Sequence, residues 1–431
     1  MIKANRPSPT REEQAVSTYP SIVRRAFAAA MITLLAVLFE AISTQTSAAA
    51  QPAAPGSSLH ETVSAAIMQR AQLSQLQATA AGRHSRVDVQ RRVGGWAFGS
   101  AVLTAPAKPD QYPTGWMFLA HRTGSGWQAT LDGTAEFSAL ASQAPTTIVS
   151  ARERQVLGPA AVTIMSTADT TYNTGLRLPF AIGQSWRLTG GPHGWNGSDT
   201  PYSSIDLNGG DFRVLAPGSG TAYLMCAGSS SGQYGGWVRV YHGSGYTTDH
   251  YHLWAPVDYN GGSVGEGAFL GYTGTDVSCG GSAPYRHVHW SILKSSTRVS
   301  WNTRSAGQWV FISGSSPYGG YALHGSTQVA AGGQHTDVGG LLYNYGALNF
   351  NQGIVDANDD TSINKRSGPG TGYAIVGSVS DGTTVTISCW RNGTTLTGRW
   401  GPTAVWDKLT DGTWVSDAFV YTGTDTIGPN C

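Results

Sequence analysis

Short apolar runs separated by glycine-rich turns dominate the hydrophobic pattern of this chain. Between residues 173 and 345 these strand-like runs include SWRLTGG, GTAYLMC, GWVRVYH and HVHWSIL. No long amphipathic helical pattern interrupts them, which favours an antiparallel β architecture. We therefore predict a mainly β protein whose central region, 173–345, is an antiparallel β-sheet domain.

The same pattern divides the rest of the chain. Residues 351–431 contain strand-like runs such as TTVTISCW and predict a separate small β module. Residues 51–172 begin with a helix-like stretch, LHETVSAAIMQRAQLSQLQ, and continue with the strand-like pieces WAFGSAVL and GWMFLAHR. We predict an α+β pro-region there, removed by a cut near the basic segment SARERQVLG, which we expect to be exposed. A permanent N-terminal domain is the alternative.

The N-terminus reads as an export signal. Arg24 and Arg25 precede the uncharged run 26–39, AFAAAMITLLAVLF, and a small-residue stretch ending in TSAAAQ follows. This order of basic, apolar and small residues predicts a signal peptide over residues 1–50, cleaved near Ala50. A membrane anchor is the alternative, but the apolar run is short for a bilayer span. We expect a secreted, extracellular protein.

Composition narrows the class of protein. Only 12% of the 431 residues are charged, whereas 40% are hydrophobic and 56 are glycine, which excludes a largely disordered chain. The formal net charge of +1 gives no electrostatic reason to expect binding to nucleic acid or, after signal removal, to a membrane. We expect a monomer.

Four cysteines fit an exported, oxidised protein. Cys226 and Cys279 lie in the central region, and Cys389 and Cys431 lie in the C-terminal module. Pairing within each region is the economical choice among the three possible connectivities.

Histidines carry the strongest chemical signal. Six of the eleven lie between residues 193 and 289. In YRHVHW (285–290), His287 and His289 are two apart, so a strand would present both imidazoles on one face. Together with Asp206, such imidazoles make a His/Asp/His zinc site plausible. Asp206 has an alternative reading as a turn residue before glycines, and His250 and His252 repeat the two-residue spacing and could flank the metal.

Competing motifs are weaker. GSSSG (228–232) satisfies the G-x-S-x-G pattern of serine hydrolases, but a glycine-led strand rather than a helix follows it, so we interpret it as a flexible loop. The H-E-x-x-H motif is absent.

Three segments in order resemble the M23 zinc metallopeptidases, especially their β-lytic and staphylolytic branch. They are GPHGWNGSDTPYSSIDLNGGD (191–211), DHYHLW (249–254) and RHVHWSIL (286–293). The resemblance implies one zinc ion per chain held by His193, Asp206 and His289. It also implies that His252 and His287 are catalytic, and that a disulfide joins Cys226 to Cys279.

The C-terminal module resembles a bacterial SH3 domain through INKRSGPG (363–370) and DGTWVSDAFV (411–420). The resemblance implies a small β-barrel that binds cell-wall peptides; a purely stabilising module is the alternative.

These features predict a secreted zinc metalloendopeptidase whose partner and substrate is bacterial peptidoglycan, cut in its glycyl bridges or stem peptides. The acid–base and oxyanion roles fall jointly to His252 and His287. A secreted protease acting on glycine-rich proteins and a catalytically inactive wall-binding protein are the alternatives.

Overall fold

The computed structural model describes residues 57–124, 126–157, 172–227, 235–333 and 338–431. The predicted signal peptide (1–50) and the predicted loop at 228–232 lie outside these ranges. Among the residues described, no helix is long and apolar enough to cross a membrane.

The N-terminal region is a four-stranded antiparallel sheet with short helices packed on it. Its sheet has the order β1-β2-β3-β4. The elements are α1 (Leu59–Ala71), α2 (Gln75–Ala80), β1 (Ser85–Val93), β2 (Trp96–Leu103), β3 (Thr114–Thr123), β4 (Gly126–Leu131), α3 (Ala135–Gln143) and α4 (Ala151–Leu157). Ser58 and Glu61 form a capping box that begins α1. Val63 and Ile67, one turn apart, are fully buried in a cluster with Phe118 of the sheet. The α+β prediction is confirmed.

The central region is built on one eleven-stranded antiparallel sheet. Its main path is β11-β8-β9-β10-β13-β6-β5-β19, with β12 pairing β10 and β7, and β14 pairing β13. The strands are β5 (Ser185–His193), β6 (Ser204–Asn208), β7 (Arg213–Leu215), β8 (Gly220–Ala227), β9 (Gly235–His242), β10 (Tyr246–Trp254), β11 (Asn260–Val264), β12 (Phe269–Tyr272), β13 (Val288–Lys294), β14 (Thr297–Arg298) and β19 (Leu341–Tyr343). Val288, Trp290 and Ile292 alternate along β13 into the main core. The opposite face of that strand is therefore left for polar side chains.

A smaller sheet and the C-terminal module complete the fold. The smaller sheet has the order β15-β16-β17-β18 and the module the order β22-β21-β25-β24-β23-β20-β26. The strands are β15 (Ser305–Ala306), β16 (Trp309–Ser313), β17 (Gly320–His324), β18 (Thr327–Ala330), β20 (Gln352–Val355), β21 (Ser362–Arg366), β22 (Ile375–Ser380), β23 (Thr384–Gly398), β24 (Gly401–Leu409), β25 (Trp414–Ser416) and β26 (Val420–Tyr421), with a 3-10 turn at Asp417–Phe419. Ile354 and Tyr421 of the module share a buried cluster with Val310 and Leu323. The module is thus packed on the rest of the chain, and its SH3-like identity stays a prediction.

Both cysteine pairings are confirmed. Cys226 is bonded to Cys279, and Cys389 is bonded to Cys431. The first bond ties β8 to the loop before β13, close to the histidine-rich strands.

The segment SARERQVLG is partly buried, so the expectation that it is exposed is wrong for its buried residues. Residues of this segment form most of α4, and Glu153 within it is only 1% exposed. Its carboxylate accepts two hydrogen bonds from Arg91, at 2.8 and 2.5 Å, and one from the Tyr223 hydroxyl at 2.7 Å. A buried carboxylate is stable only with such partners, and here they tie α4 to both the N-terminal sheet and β8.

Candidate metal and catalytic site

Four neighbouring strands bring the predicted site residues onto one face of the central sheet. In the order β10-β13-β6-β5 they contribute His252, His289, Asp206 and His193. His289 pairs directly with Asp206 across β13 and β6. Ile205 and Leu207 flank Asp206 on its strand and are buried in the core on the other face. Strand alternation therefore positions the carboxylate among the imidazoles.

His193, Asp206 and His289 present their donor atoms at short mutual distances. His289 Nδ1 lies 3.1 Å from Asp206 Oδ1 and 3.2 Å from His193 Nε2. His193 Nε2 lies 3.5 Å from Asp206 Oδ1. A tetrahedral ion with ligand bonds of about 2.0–2.2 Å needs donors roughly 3.3–3.6 Å apart. The observed separations of 3.1, 3.2 and 3.5 Å lie within about 0.2 Å of this range, so the three residues fit a tetrahedral metal ion.

A second group of potential ligands, His252, His287 and His289, shares His289 with the first. Its ring centroids are 4.9 Å apart for His252 and His287 and 5.8 Å apart for His252 and His289, against 5.0 Å for His193 and His289 in the first group. Spacing between rings therefore does not separate the two groups, but the second group lacks a carboxylate to offset the charge of a metal ion. The group containing Asp206 is the better candidate.

Backbone carbonyls fix the tautomers of three imidazoles. The Nδ1–H of His193 donates to Gly191 O at 2.7 Å, that of His252 to Asp276 O at 2.6 Å, and that of His287 to Tyr285 O at 2.8 Å. Each of the three therefore keeps a lone pair on Nε2. In His193 this nitrogen faces Asp206 and His289, as a metal ligand requires.

The imidazoles of His287 and His252 lie next to this group of three residues. His287 Nε2 lies 3.6 Å from Asp206 Oδ1. His252 lies beside His287, and both are almost completely buried. Their Nε2 lone pairs can accept a proton next to the metal group, which is what a general base requires.

His250 does not flank the site, and the expectation that it does is wrong. A bulge interrupts β10 after His250, and His252 has a positive φ of 65°. The bulge turns His252 onto the face of Tyr251 and His289, because an extra residue breaks the two-residue alternation. His250 stays on the opposite face near Trp290.

Electrostatics keep the carboxylate charged and the imidazoles neutral. Burial raises the pKa of Asp206, but the neighbouring imidazoles of His193, His287 and His289 together lower it by more. Its pKa therefore lies well below the ordinary value. Burial lowers the pKa of His193 and His252, and lowers that of His289 to about 4. Neutral imidazole and ionised carboxylate are the forms that bind metal.

Sequence reasoning missed the tyrosines around the site. Tyr318 stacks on His193 with ring centroids 3.9 Å apart, and the Tyr285 hydroxyl lies 3.4 Å from Asp206 Oδ2. Tyr112 of the N-terminal region lies 5.1 Å from His289, measured between ring centroids. Tyr285 adjoins the HVH motif, which was a usable signal; Tyr112 and Tyr318 lie far from any histidine motif and gave none.

Comparison with known proteins shows sequence similarity over parts of the chain. No family model matches the chain. Over 154 residues it is 30% identical to protease LasA of Pseudomonas aeruginosa, an alignment covering 33% of this chain and 35% of LasA. The chain thus spans about a third of that relative's length. Over 100 residues it is 34% identical to the uncharacterized protein YraI of Bacillus subtilis, covering 21% of this chain and 84% of YraI.

Two solved structures of peptidases are also similar to parts of the chain. The M23 metalloprotease pseudoalterin from the deep sea is 28% identical, with a TM-score of 0.32, over 36% of this chain and 94% of its own. Lysostaphin from Staphylococcus simulans is 15% identical, with a TM-score of 0.19, over 54% of this chain and 99% of its own.

The chain is thus similar in sequence to protease LasA over about a third of its length, and one of the similar solved structures is an M23 metalloprotease.

Proposed function

We propose that this protein is a zinc metalloendopeptidase that hydrolyses peptide bonds of bacterial peptidoglycan. The observation that carries the proposal is the close group of His193, Asp206 and His289, with the Nε2 atoms of His252 and His287 beside it. Three ligands leave a fourth position for water, the arrangement of catalytic rather than structural zinc.

Zinc is the metal that this donor set favours. Two neutral imidazoles and one carboxylate suit a borderline ion, and the donor spacing agrees with tetrahedral coordination. When bound, zinc would supply Lewis acidity to the scissile carbonyl and lower the pKa of a water molecule. His193, Asp206 and His289 would hold it.

His252 and His287 carry the proton chemistry in this proposal. Each has its Nδ1–H donated to a backbone carbonyl, so each Nε2 is oriented and ready to accept a proton. One imidazole takes the proton from the attacking water and returns it to the leaving amine. The other takes up a proton from solvent at its Nε2 and donates that N–H to the developing oxyanion.

The substrate proposal rests on composition and on the C-terminal module. A glycine-rich chain with few charges suits slim, uncharged glycyl peptides such as wall bridges. A module resembling bacterial SH3 domains supports attachment to wall peptides. We place the protein outside the cell, in agreement with its two disulfides.

Activity is tested on the zinc-loaded chain after removal of its N-terminal region. Purified bacterial walls, a fluorogenic pentaglycine peptide and a glycine-rich protein are offered as alternative substrates. Release of wall fragments with new amino termini, identified by mass spectrometry, supports the proposal. Cleavage of the glycine-rich protein without wall lysis would instead favour a general secreted protease.

A matched pair of variants ties the activity to the site. His252→Gln removes the imidazole that the bulge turns into the site, whereas His250→Gln changes its neighbour on the opposite face. Loss of lysis in the first and retention in the second are expected. Equal lysis in both variants contradicts the assigned role of His252.

A further inference from the structure

Two carboxylates of the C-terminal module, Asp407 and Asp417, meet near the end of β24. Asp407 lies on β24, directly opposite Val415 of β25, and Asp417 begins the 3-10 turn two residues after Val415. The two side chains are close enough to hydrogen-bond to each other when one of them is protonated. Asp407 is only 1% exposed, and Asp417 is half-buried. The fold therefore places two acidic groups side by side and largely away from solvent.

These carboxylates lack the donors that buried acids normally have. Within the part of the chain that the structure describes, no donor bonds to either oxygen of Asp407 or to Oδ1 of Asp417. Asp249, by contrast, is similarly buried and accepts hydrogen bonds from Arg239 and Arg298. Leaving a buried acid unpartnered is costly, so such a group requires a bound ion or a proton.

The module itself supplies no positive charge to the pair. Residues 351–431, all of them described by the structure, include five basic and eight acidic residues, so the module has a net charge of −3. All five basic side chains make contacts elsewhere: Lys365 with Asp411, Arg366 with the carbonyls of Thr371 and Tyr373, Arg391 with the Cys431 carbonyl, Arg399 with Asp356, and Lys408 with the Trp414 ring. Lys408 follows Asp407 directly, but strand alternation turns it to the other face.

A third carboxylate, that of Asp425 on the C-terminal tail, lies near the pair. Its negative charge raises the pKa of Asp417, which requires a short distance between the two groups. The tail is held in place by the disulfide between Cys389 and Cys431 and by a hydrogen bond of 3.1 Å from Trp390 N–H to Pro429 O. β24, the 3-10 turn and the tail thus each bring one negative charge to the same place.

The available donor atoms favour calcium. The module contains no histidine, and both of its cysteines are disulfide-bonded, so it offers oxygen ligands but no imidazole or thiolate. Carboxylate oxygens suit Ca²⁺, Mg²⁺ and Mn²⁺. Mg²⁺ keeps several water ligands, whereas Ca²⁺ accepts carboxylates and backbone carbonyls in a flexible geometry. The burial of Asp407 leaves little room for water, which favours calcium over magnesium.

We propose that Asp407 and Asp417 bind a calcium ion in the C-terminal module, with Asp425 as a further carboxylate ligand from the tail. The ion joins β24, the 3-10 turn and the tail, and it thereby stabilises the module. Without the ion the pair retains a proton, because burial raises the pKa of both groups; calcium releases that proton to solvent. The proposal is independent of the peptidase function, since none of the three residues belongs to the zinc site.

Isothermal titration of the zinc-loaded chain with calcium chloride at pH 8 tests the site. The wild type is compared with Asp407→Asn and Asp417→Asn, which keep the shape of each side chain, and with Asp411→Asn, which removes a surface carboxylate of the same module. The wild type should bind about one calcium ion with a Kd of about 10⁻⁴–10⁻³ M, the range of extracellular calcium modules. Each variant of the pair should bind at least about tenfold more weakly, because it loses a charged ligand. Asp411→Asn should match the wild type.

Absence of calcium binding by the wild type overturns the site, and wild-type affinity in both variants of the pair overturns its location. Magnesium chloride, titrated in parallel, should bind more weakly; equal or tighter binding contradicts the choice of calcium. Circular dichroism verifies that every variant is folded.

The melting temperature provides a second measurement. Saturating calcium should raise it by about 2–5 °C in the wild type and in Asp411→Asn, and leave it unchanged in the two variants of the pair. A rise of the same size in all four proteins refutes the assignment to Asp407 and Asp417.

Discussion

His289 and Asp206 lie directly opposite each other on adjacent antiparallel strands, and His289 Nδ1 is 3.1 Å from Asp206 Oδ1. The strand register therefore fixes the distance between two predicted metal ligands that lie 83 positions apart in sequence. His193, at the end of the next strand, approaches both.

Asp206→Asn should abolish tight zinc binding while preserving the shape of the site. The amide is a weaker ligand and carries no negative charge to stabilise the ion among buried imidazoles. Isothermal titration with zinc measures the loss. Asp211→Asn, five residues on and paired with Arg213 at the surface, is the control and should bind zinc like the wild type. Tight zinc binding by Asp206→Asn would exclude that residue as a ligand.

His287→Ala and His289→Ala should separate catalysis from metal binding, although the two residues share one strand face. The first variant should keep zinc and lose about 10²–10⁴-fold in rate, the usual contribution of a general acid–base. The second should lose zinc and activity together. Metal analysis and peptide hydrolysis of each variant measure this difference; zinc loss in His287→Ala would reverse the assigned roles.

Asp249→Asn should destabilise the fold strongly. This carboxylate is fully buried and accepts hydrogen bonds from Arg239, at 2.7 and 2.9 Å, and from Arg298 at 2.9 Å. Removing its charge leaves the buried guanidinium group of Arg239 and the partly buried one of Arg298 without this anionic partner, which costs about 3–5 kcal/mol in the free energy of unfolding. Chemical denaturation measures the change. Asp411→Asn removes a surface pair with Lys365 and should cost at most about 1 kcal/mol; equal losses in the two variants would contradict this account.

The C-terminal module should become less stable as the pH rises. Burial raises the pKa of Asp407 and Asp417, and the charge of Asp407 raises that of Asp417 further. Because both folded-state pKa values exceed the unfolded value of about 4, the folded state binds more protons. The stabilisation that these two carboxyl groups contribute is therefore fully present below about pH 4, and it is lost as the pH rises through their folded-state pKa values.

Asp417→Asn should reduce this dependence. Thermal unfolding at pH 5 and pH 8 should show a smaller drop in melting temperature for the variant than for the wild type. Asp411→Asn is again the control, since its pKa is lowered to about 2 and it does not titrate in this range. An identical drop in Asp417→Asn and wild type would refute the role of the buried pair.

The sequence predicted the β architecture, both disulfides and the five residues that the fold gathers at the site. The architecture and the disulfides follow from local signals, namely strand-like runs and cysteine positions. The assignment of the five site residues followed from the resemblance of three histidine-containing segments to the M23 zinc metallopeptidases. The expectation that His250 flanks the site failed because a bulge changes which face of β10 the following residues occupy. No residue in DHYHLW indicates that bulge. A positive φ at a histidine, rather than at a glycine, hides it from pattern analysis.

Long-range packing explains the other misses. Glu153 looked exposed because its segment is charged, yet partners 62 and 70 positions away bury it. Tyr112 looked like an ordinary loop residue, and only the docking of the N-terminal sheet brings it to His252. Such contacts depend on how separate segments meet, which local patterns do not encode.

The central claim is that His193, Asp206 and His289 bind zinc. The most direct test is the zinc content of the zinc-equilibrated and dialysed protein, measured by inductively coupled plasma mass spectrometry. We predict about one zinc ion per chain in the wild type and in His287→Ala, and none in Asp206→Asn or His289→Ala. A wild-type chain without zinc, or zinc retained at full occupancy in both ligand variants, would contradict the assignment of the site.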